Sequence, residues 1–229
     1  MKERPKLNGA DNIQKKSRKS HARAGIPMPW ALEEEAKQAG FDLVAGVDEA
    51  GRGPLAGPVV AAAVILPAGF DIAGVRDSKT LSPEARERLF DRITEGAAAV
   101  GVGLCDHAEI DRMNILRASL LSMSRAVDAL CVRPGFLIVD GKFKAPLDIP
   151  QRAVIRGDAL CVSVAAASIV AKVTRDRMME DFDRRYPGYG FCRHKGYGTA
   201  EHLAALSARG PCPIHRLSFK RVLPDPIFP

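Results

Sequence analysis

The sequence predicts an α/β domain in which helices pack on a central sheet. Two observations carry that expectation. Short apolar runs of strand length recur along the chain, and between them lie segments whose apolar residues have helical spacing. The 229 residues are 46% hydrophobic and 27% charged, close to the globular average, which excludes a fibrous repeat or wholesale disorder. No internal repeat is present, and the length suits one large domain with trimmings: a basic arm over residues 1–29 and a domain over residues 30–229.

The elements follow in order. The arm, with Pro5, Pro27 and Pro29 and few apolar side chains, reads as disordered. Trp30–Gly40 reads as one short helix. Phe41–Val47 and Val59–Leu66 read as strands, separated by the Gly- and Pro-rich Gly51–Pro58. Ser82-Pro83 supplies a capping hydroxyl and a proline at the first helical position, opening a helix to about Thr94. Ala97–Cys105, small and apolar, is a third strand. Ile115, Leu116, Leu120, Met123, Val127 and Leu130 give Asn114–Cys131 a helical period. Phe136–Val139 is a short buried strand ending in Asp140-Gly141, and Ala153–Ile155 is a candidate fifth. A long helix covers Ser163 to Arg185, and another runs from Thr199, its cap, to about Ala208. The tail from Gly210 is Pro-rich and irregular.

The net charge of +7 is unevenly placed. Residues 1–29 hold eight Lys or Arg against Glu3 and Asp11, leaving 26 basic and 25 acidic groups elsewhere. A basic arm on a near-neutral domain suits polyanion binding through counterion release, and equally suits a solvated leader. No apolar stretch approaches the ~20 residues of a membrane span; the longest, Pro58–Ala68, suits a buried strand. The N-terminus lacks the apolar segment of a secretory signal. Cysteines 105, 131, 161, 192 and 212 form no Cys-x-x-Cys pair and read as reduced, mostly buried thiols. A soluble, cytoplasmic protein with no membrane partner is expected.

Several carboxylates follow buried runs. Asp48-Glu49 comes after Leu43–Val47, and adjacent acids there raise each other's pKa unless something positive binds. Asp140 follows FLIV, and Asp158 follows Gly157 after another short apolar run. Converging on one sheet edge, such acids offer an all-oxygen ligand set, suited to Mg²⁺ or Mn²⁺ and wrong for structural zinc. Each acid taken alone also reads as a turn or cap residue. Gly51–Pro58 is neither a P-loop nor a dinucleotide fingerprint, since its spacing differs and a second strand follows it. Its glycines permit close backbone approach, and Arg52 can donate to a phosphate; a hairpin turn is the plainer reading. Cys192 and His194 resemble half a zinc site, but no second pair completes it.

Gly46-Val-Asp-Glu-Ala-Gly-Arg-Gly-Pro-Leu-Ala-Gly-Pro58 resembles the signature of bacterial ribonuclease HII, the type 2 ribonuclease H family. In the same order as in that family come Asp77–Ser82, Val139–Gly141, Gly157-Asp158, Ala166–Lys172, Arg175-Asp176, His194–Thr199 and Ile214–Phe219. The resemblance covers about Phe41 to Leu223. It implies an RNase H-like fold, a central mixed sheet flanked by helices. It also implies a metal-dependent endoribonuclease that cuts RNA in RNA–DNA hybrids and single ribonucleotides in duplex DNA.

By the same resemblance Asp48, Glu49, Asp140 and Asp158 are the metal-binding acids. They would hold two divalent ions, Mn²⁺ or Mg²⁺, about 4 Å apart, leaving 5′-phosphate and 3′-hydroxyl ends. Gly51, Arg52 and Gly53 would read the ribose 2′-hydroxyl, and Tyr197 would pack on the sugar at the junction. Ser78, Lys79 and Lys172 are candidate phosphate contacts, although Ser168, Lys172 and Arg175 also suit a solvated helix face. His215 and Arg216 read equally as catalytic or as a salt bridge or cap. A monomer is expected. Two other readings compete: a phosphatase or phosphotransferase using the same acids on a small substrate, and a hybrid-binding module without catalysis.

Overall fold

The computed structural model describes residues 30–71, 73–75 and 81–223. The basic arm, Ser78 and Lys79 lie outside the described residues, and so do the expectations placed on them. The strands are β1 (Val44–Ala50), β2 (Val59–Ile65), β3 (Ala99–Cys105), β4 (Phe136–Asp140) and β5 (Gln151–Val154). They form one mixed sheet in the order β3-β2-β1-β4-β5. β1 pairs antiparallel with β2, and β2 with β3; β1 pairs parallel with β4, and β4 with β5. The helices among the described residues are α1 (Ala31–Gln38), α2 (Pro83–Gly96), α3 (His107–Met113), α4 (Ile115–Asp128), α5 (Gly157–Leu160), α6 (Val162–Arg185), α7 (Phe191–His194) and α8 (Ala200–Arg209).

Alternation along β1 and β2 sorts the core into two layers. Ala45, Val47, Ala61 and Ala63 pack with Met123 and Val127 of α4 on one face. Ala62 and Val64 pack with Ala166, Ile169 and Val170 of α6 on the other, backed by Leu89 and Ile93 of α2. Gly46 falls on the α6 face, where a Cβ would stand 2.1 Å from the Ser163 carbonyl carbon. The missing side chain therefore lets the α6 backbone lie directly on β1. That contact fixes where every residue of α6 meets the sheet.

The N-terminus of α6 is anchored from a distance. Cys161, at its N-cap position, makes no side-chain cap hydrogen bond. Glu33 of α1 fills the role: its Oε1 accepts from the Ser163 amide and hydroxyl, both at 2.9 Å, and from Cys161 Sγ at 3.1 Å. A carboxylate there also meets the positive end of the helix dipole.

The expected elements are present with shifted edges. β1 begins at Val44 instead of Phe41, whose ring packs tilted against Phe136 with centroids 4.9 Å apart. It then runs on through Asp48 and Glu49, which pair with Ala62 and Ala61 of β2. The acid pair thus sits inside the strand and not beyond its end. α2 starts at the Ser82 cap, whose hydroxyl accepts from the Ala85 amide, and α8 starts at the Thr199 cap. α3 was not expected; Asp106 and Glu109 close a capping box at its start. All five cysteines are free, with Cys105 and Cys161 buried, Cys192 and Cys212 half-buried and Cys131 exposed, so the expectation of mostly buried thiols holds only for the first pair. No described helix is long and apolar enough to cross a membrane.

Candidate active site

Val47 of β1 lies opposite Val139 of β4 in the parallel register. The next residues of the two strands, Asp48 and Asp140, therefore stand side by side toward the carboxyl ends of the parallel strands, where open α/β sheets place their ligands. Asp48 faces α6, and alternation turns Glu49 to the α4 side. Asp48, Glu49 and Asp140 line one cleft of about 270 Å³ with Ser168 and Lys172 of α6. Gly51, Arg52, Gly53 and Tyr197 line the same cleft.

The electrostatics of the acids are unfavourable without a partner. Asp48 is 4% exposed. Burial foremost, then the charges of Glu49 and Asp140, push its carboxyl well above the ordinary range; the Ser168 hydroxyl and the Glu49 amide, 2.7 Å from Oδ1, pull back. Glu49 is raised by burial against the pull of Arg52, whose Nη1 stands 3.1 Å from Oε1. Its Oε2 is buried with no hydrogen-bond partner among the described residues.

The remaining expected residues fall at different distances from this centre. Asp140 Oδ1 accepts from the Gly157 amide at 2.7 Å. Asp158, the next residue, sits in α5 at 6% exposure and is not among the residues lining the cleft. Tyr197 is 45% exposed, with its ring edge across from Gly53: a Cβ on Gly53 would lie 3.5 Å from Tyr197 Cε1. Lys172 lines the cleft, with Nζ 2.7 Å from Asp176 Oδ1. Arg175, which read as one residue of a solvated face, is instead 1% exposed and also reaches the cleft. Arg216, read equally as catalytic or as a salt bridge or cap, forms no ion pair among the described residues; its guanidinium donates to backbone carbonyls.

The cleft gathers three carboxylates and the Ser168 hydroxyl, an oxygen set that suits a hard divalent cation. No three Asp, Glu, His or Cys side chains among the described residues already close into a ligand cage; Glu49 is drawn toward Arg52. A cation between Asp48, Glu49 and Asp140 would relieve the repulsion that raises Asp48 and give Glu49 Oε2 a partner. On these grounds the residues present fit a metal.

Residues 45–222 match the family described as Ribonuclease HII. The chain belongs to the ribonuclease HII family. It is 58% identical over 193 residues to the ribonuclease HII of Geobacter metallireducens, an alignment covering 84% of this chain and 91% of that one. The fold is similar to the crystal structure of ribonuclease H2 from Pyrococcus horikoshii OT3, with a TM-score of 0.67, 30% identity, and coverage of 79% of this chain and 95% of that one. It is also similar to Bst-RNase HIII in complex with Mn²⁺, with a TM-score of 0.62, 26% identity, and coverage of 93% and 79%. Membership of this family makes the protein a ribonuclease H enzyme that acts on RNA–DNA hybrids. The RNase H-like fold expected from the sequence is the one observed.

Proposed function

We propose that this ribonuclease H works by a two-metal mechanism at the Asp48, Glu49 and Asp140 cleft, and that it also incises at single ribonucleotides embedded in duplex DNA. The observation that carries the reading is the set of residues that one cleft brings together. Carboxylates from two parallel strands line it together with a glycine loop and an exposed tyrosine. Divalent ions, Mn²⁺ or Mg²⁺, would supply the Lewis acid that activates water and offsets charge on the leaving 3′-oxygen. Asp48, Glu49, Asp140 and Asp158 would hold them, with the Gly157 amide, one residue before Asp158, orienting Asp140.

Gly51, Arg52 and Gly53 stand where a ribose would meet the acids, and loop backbone groups there would bond its 2′-hydroxyl. Tyr197 would pack on the sugar beside it. Lys172 would exchange Asp176 for a phosphate. Ser78 and Lys79 complete the proposed phosphate contacts from outside the described residues. The catalytic unit spans residues 30–229 and acts as a cytoplasmic monomer, with the basic arm of residues 1–29 adding grip on the nucleic acid.

The test is an end-labelled DNA duplex carrying one ribonucleotide, incubated with Mn²⁺ or Mg²⁺. A cut on the 5′ side of the ribonucleotide that leaves 3′-hydroxyl and 5′-phosphate ends, and that EDTA abolishes, supports the reading. Cleavage of long hybrids without this cut would remove single-ribonucleotide incision from it. Binding without any cleavage would favour the hybrid-binding module.

A further inference from the structure

Two buried arginines lie beneath the glycine loop, and neither has a carboxylate partner among the described residues. Arg216, at 0% exposure, spends all five of its N–H donors on the loop's own carbonyls. Nη2 donates to Gly51 at 2.7 Å and Pro58 at 3.1 Å, Nη1 to Pro54 at 2.8 Å and Arg52 at 3.2 Å, and Nε to Gly57 at 2.9 Å. Arg175 reaches the same loop from α6, donating to Pro58 at 3.0 Å, Ala56 at 3.2 Å and the Lys195 carbonyl at 3.0 Å. Burying a guanidinium without a counter-charge is costly, and here two are buried close enough to repel each other. The convergent carbonyl dipoles compensate them at hydrogen-bond distance, with the charges of Asp111 and Asp176 adding from further off.

That arrangement dictates the shape of the loop. Its carbonyls are gathered inward on two rigid forks. The Leu55 and Gly57 amides are fixed by the Gly196 and Ile214 carbonyls at 2.8 and 2.9 Å. The Arg52 and Gly53 amides, in the stretch that lines the cleft, meet no acceptor among the described residues. Gly51 is part of the same fit: its φ is +98°, and a Cβ there would stand 2.1 Å from Arg175 Nε. Burial holds both guanidinium groups below their ordinary range, Arg216 down to about 9 and Arg175 to about 10, so both remain charged at neutral pH.

We infer that Arg216 and Arg175 are positioning residues for ribonucleotide recognition. By holding the carbonyls of Gly51–Pro58 inward, they preset the amides of the Gly51-Arg52-Gly53 segment for the 2′-hydroxyl and its phosphate, and they set fixed positive charge beneath that segment. This deepens the reading of the loop given above and rests on it. Neither arginine is asked to touch the substrate.

The test compares wild type, Arg216→Lys and Arg175→Lys. Lysine keeps the charge but has three donors and no planar fork. KM and kcat are measured on the single-ribonucleotide duplex, and the all-DNA duplex of the same sequence is measured as a competitive inhibitor. The expected result is a fall of about tenfold in the ratio of that inhibition constant to KM, about one well-placed hydrogen bond's worth of discrimination. The Mn²⁺ activation curve should stay in place, because the acids are untouched. A purely structural role would reduce the folded, active fraction and leave the ratio alone. An unchanged ratio in a folded Arg216→Lys overturns the inference; if that variant fails to fold, an unchanged ratio in Arg175→Lys does so. Should the wild type itself bind the two duplexes equally, the 2′-hydroxyl reading of the loop falls, a failure seen before any arginine is changed.

Discussion

The Gly157 amide donates to Asp140 Oδ1 at 2.7 Å, and this bond ties the α5 turn carrying Asp158 to the carboxyl end of β4. Asp140 faces the cleft; Asp158 stands next to the residue that orients it. The acids should therefore differ in weight. Asp48→Asn and Asp140→Asn are expected to lose more than about 10³-fold in kcat, the scale seen when a group stabilising the transition state is removed. Asp158→Asn should lose less, about 10–100-fold, because Asp158 is buried off the cleft that the other three acids line. Equal losses in single-turnover cleavage would give Asp158 the same weight at the metal as the others.

The strain in the acid cluster gives a stability prediction. A carboxyl raised by burial and by like charges binds its proton more readily folded than unfolded. Its contribution is therefore favourable at low pH and is lost as pH rises through the ordinary carboxylate range toward the raised value. At pH 7 the metal-free protein carries that cost, and Asp48→Asn should raise its Tm, by about 2–4 °C for each kcal/mol relieved. Added Mn²⁺ should raise the wild-type Tm and leave the variant's unmoved. Thermal melts with and without EDTA check both signs.

A neutral imidazole chain holds the Tyr197 loop. The Cys212 amide donates to His215 Nδ1 at 2.9 Å, so the proton sits on Nε2 and faces His202 Nε2 at 3.0 Å; His202 Nδ1 then donates to the Tyr197 carbonyl at 2.9 Å. Burial lowers His202 and holds His215 down at about 4, with the neighbouring His107 and His194 adding to the effect on His215. The unfolded chain takes up these protons first, near pH 6.5. Stability should therefore fall as pH drops from about 6.5 toward 4, with the sign opposite to that of a salt-bridged histidine. His215→Gln should be less stable at pH 7 yet show a flatter Tm profile across that window.

Glu33 offers a test away from the chemistry. Glu33→Ala removes the acceptor of the Ser163 amide at the start of α6 and should cost about 1–3 kcal/mol. Denaturant midpoints measure the loss. The cleavage rate per folded molecule should change little, because Glu33 itself lies beside Leu43 and Val44 at the start of β1 and is not among the residues lining the cleft.

The parts legible in the sequence were those written in local pattern. The run before Asp48-Glu49, the FLIV before Asp140 and the Ser82-Pro83 and Thr199 caps each announced their element within a few residues. α3 carries too few apolar residues to show a period; Asp106 and Glu109, its capping box, were the available signal. The roles of Arg175 and Arg216 were hidden for a different reason. Their partners in the Gly51–Pro58 loop lie more than a hundred residues away in sequence, up to 165 for the Gly51 carbonyl. A helical face containing Arg175 looks the same in sequence whether solvent or a loop covers it, and only the packing of β1 on α6 decides which. The separation of Asp158 from the cleft likewise depends on α5, a four-residue turn entered through a left-handed Arg156 at φ 60°.

The most direct measurement is hybrid cleavage as a function of Mn²⁺ concentration, comparing wild type with Asp140→Asn at matched folded protein. A cleft built by Asp48, Glu49 and Asp140 to hold divalent ions predicts wild-type cleavage that rises with Mn²⁺ and vanishes in EDTA. It also predicts no restoration of the variant at any Mn²⁺ concentration tested. Cleavage that persists in EDTA, or an Asp140→Asn enzyme with the wild-type metal curve, would contradict the account.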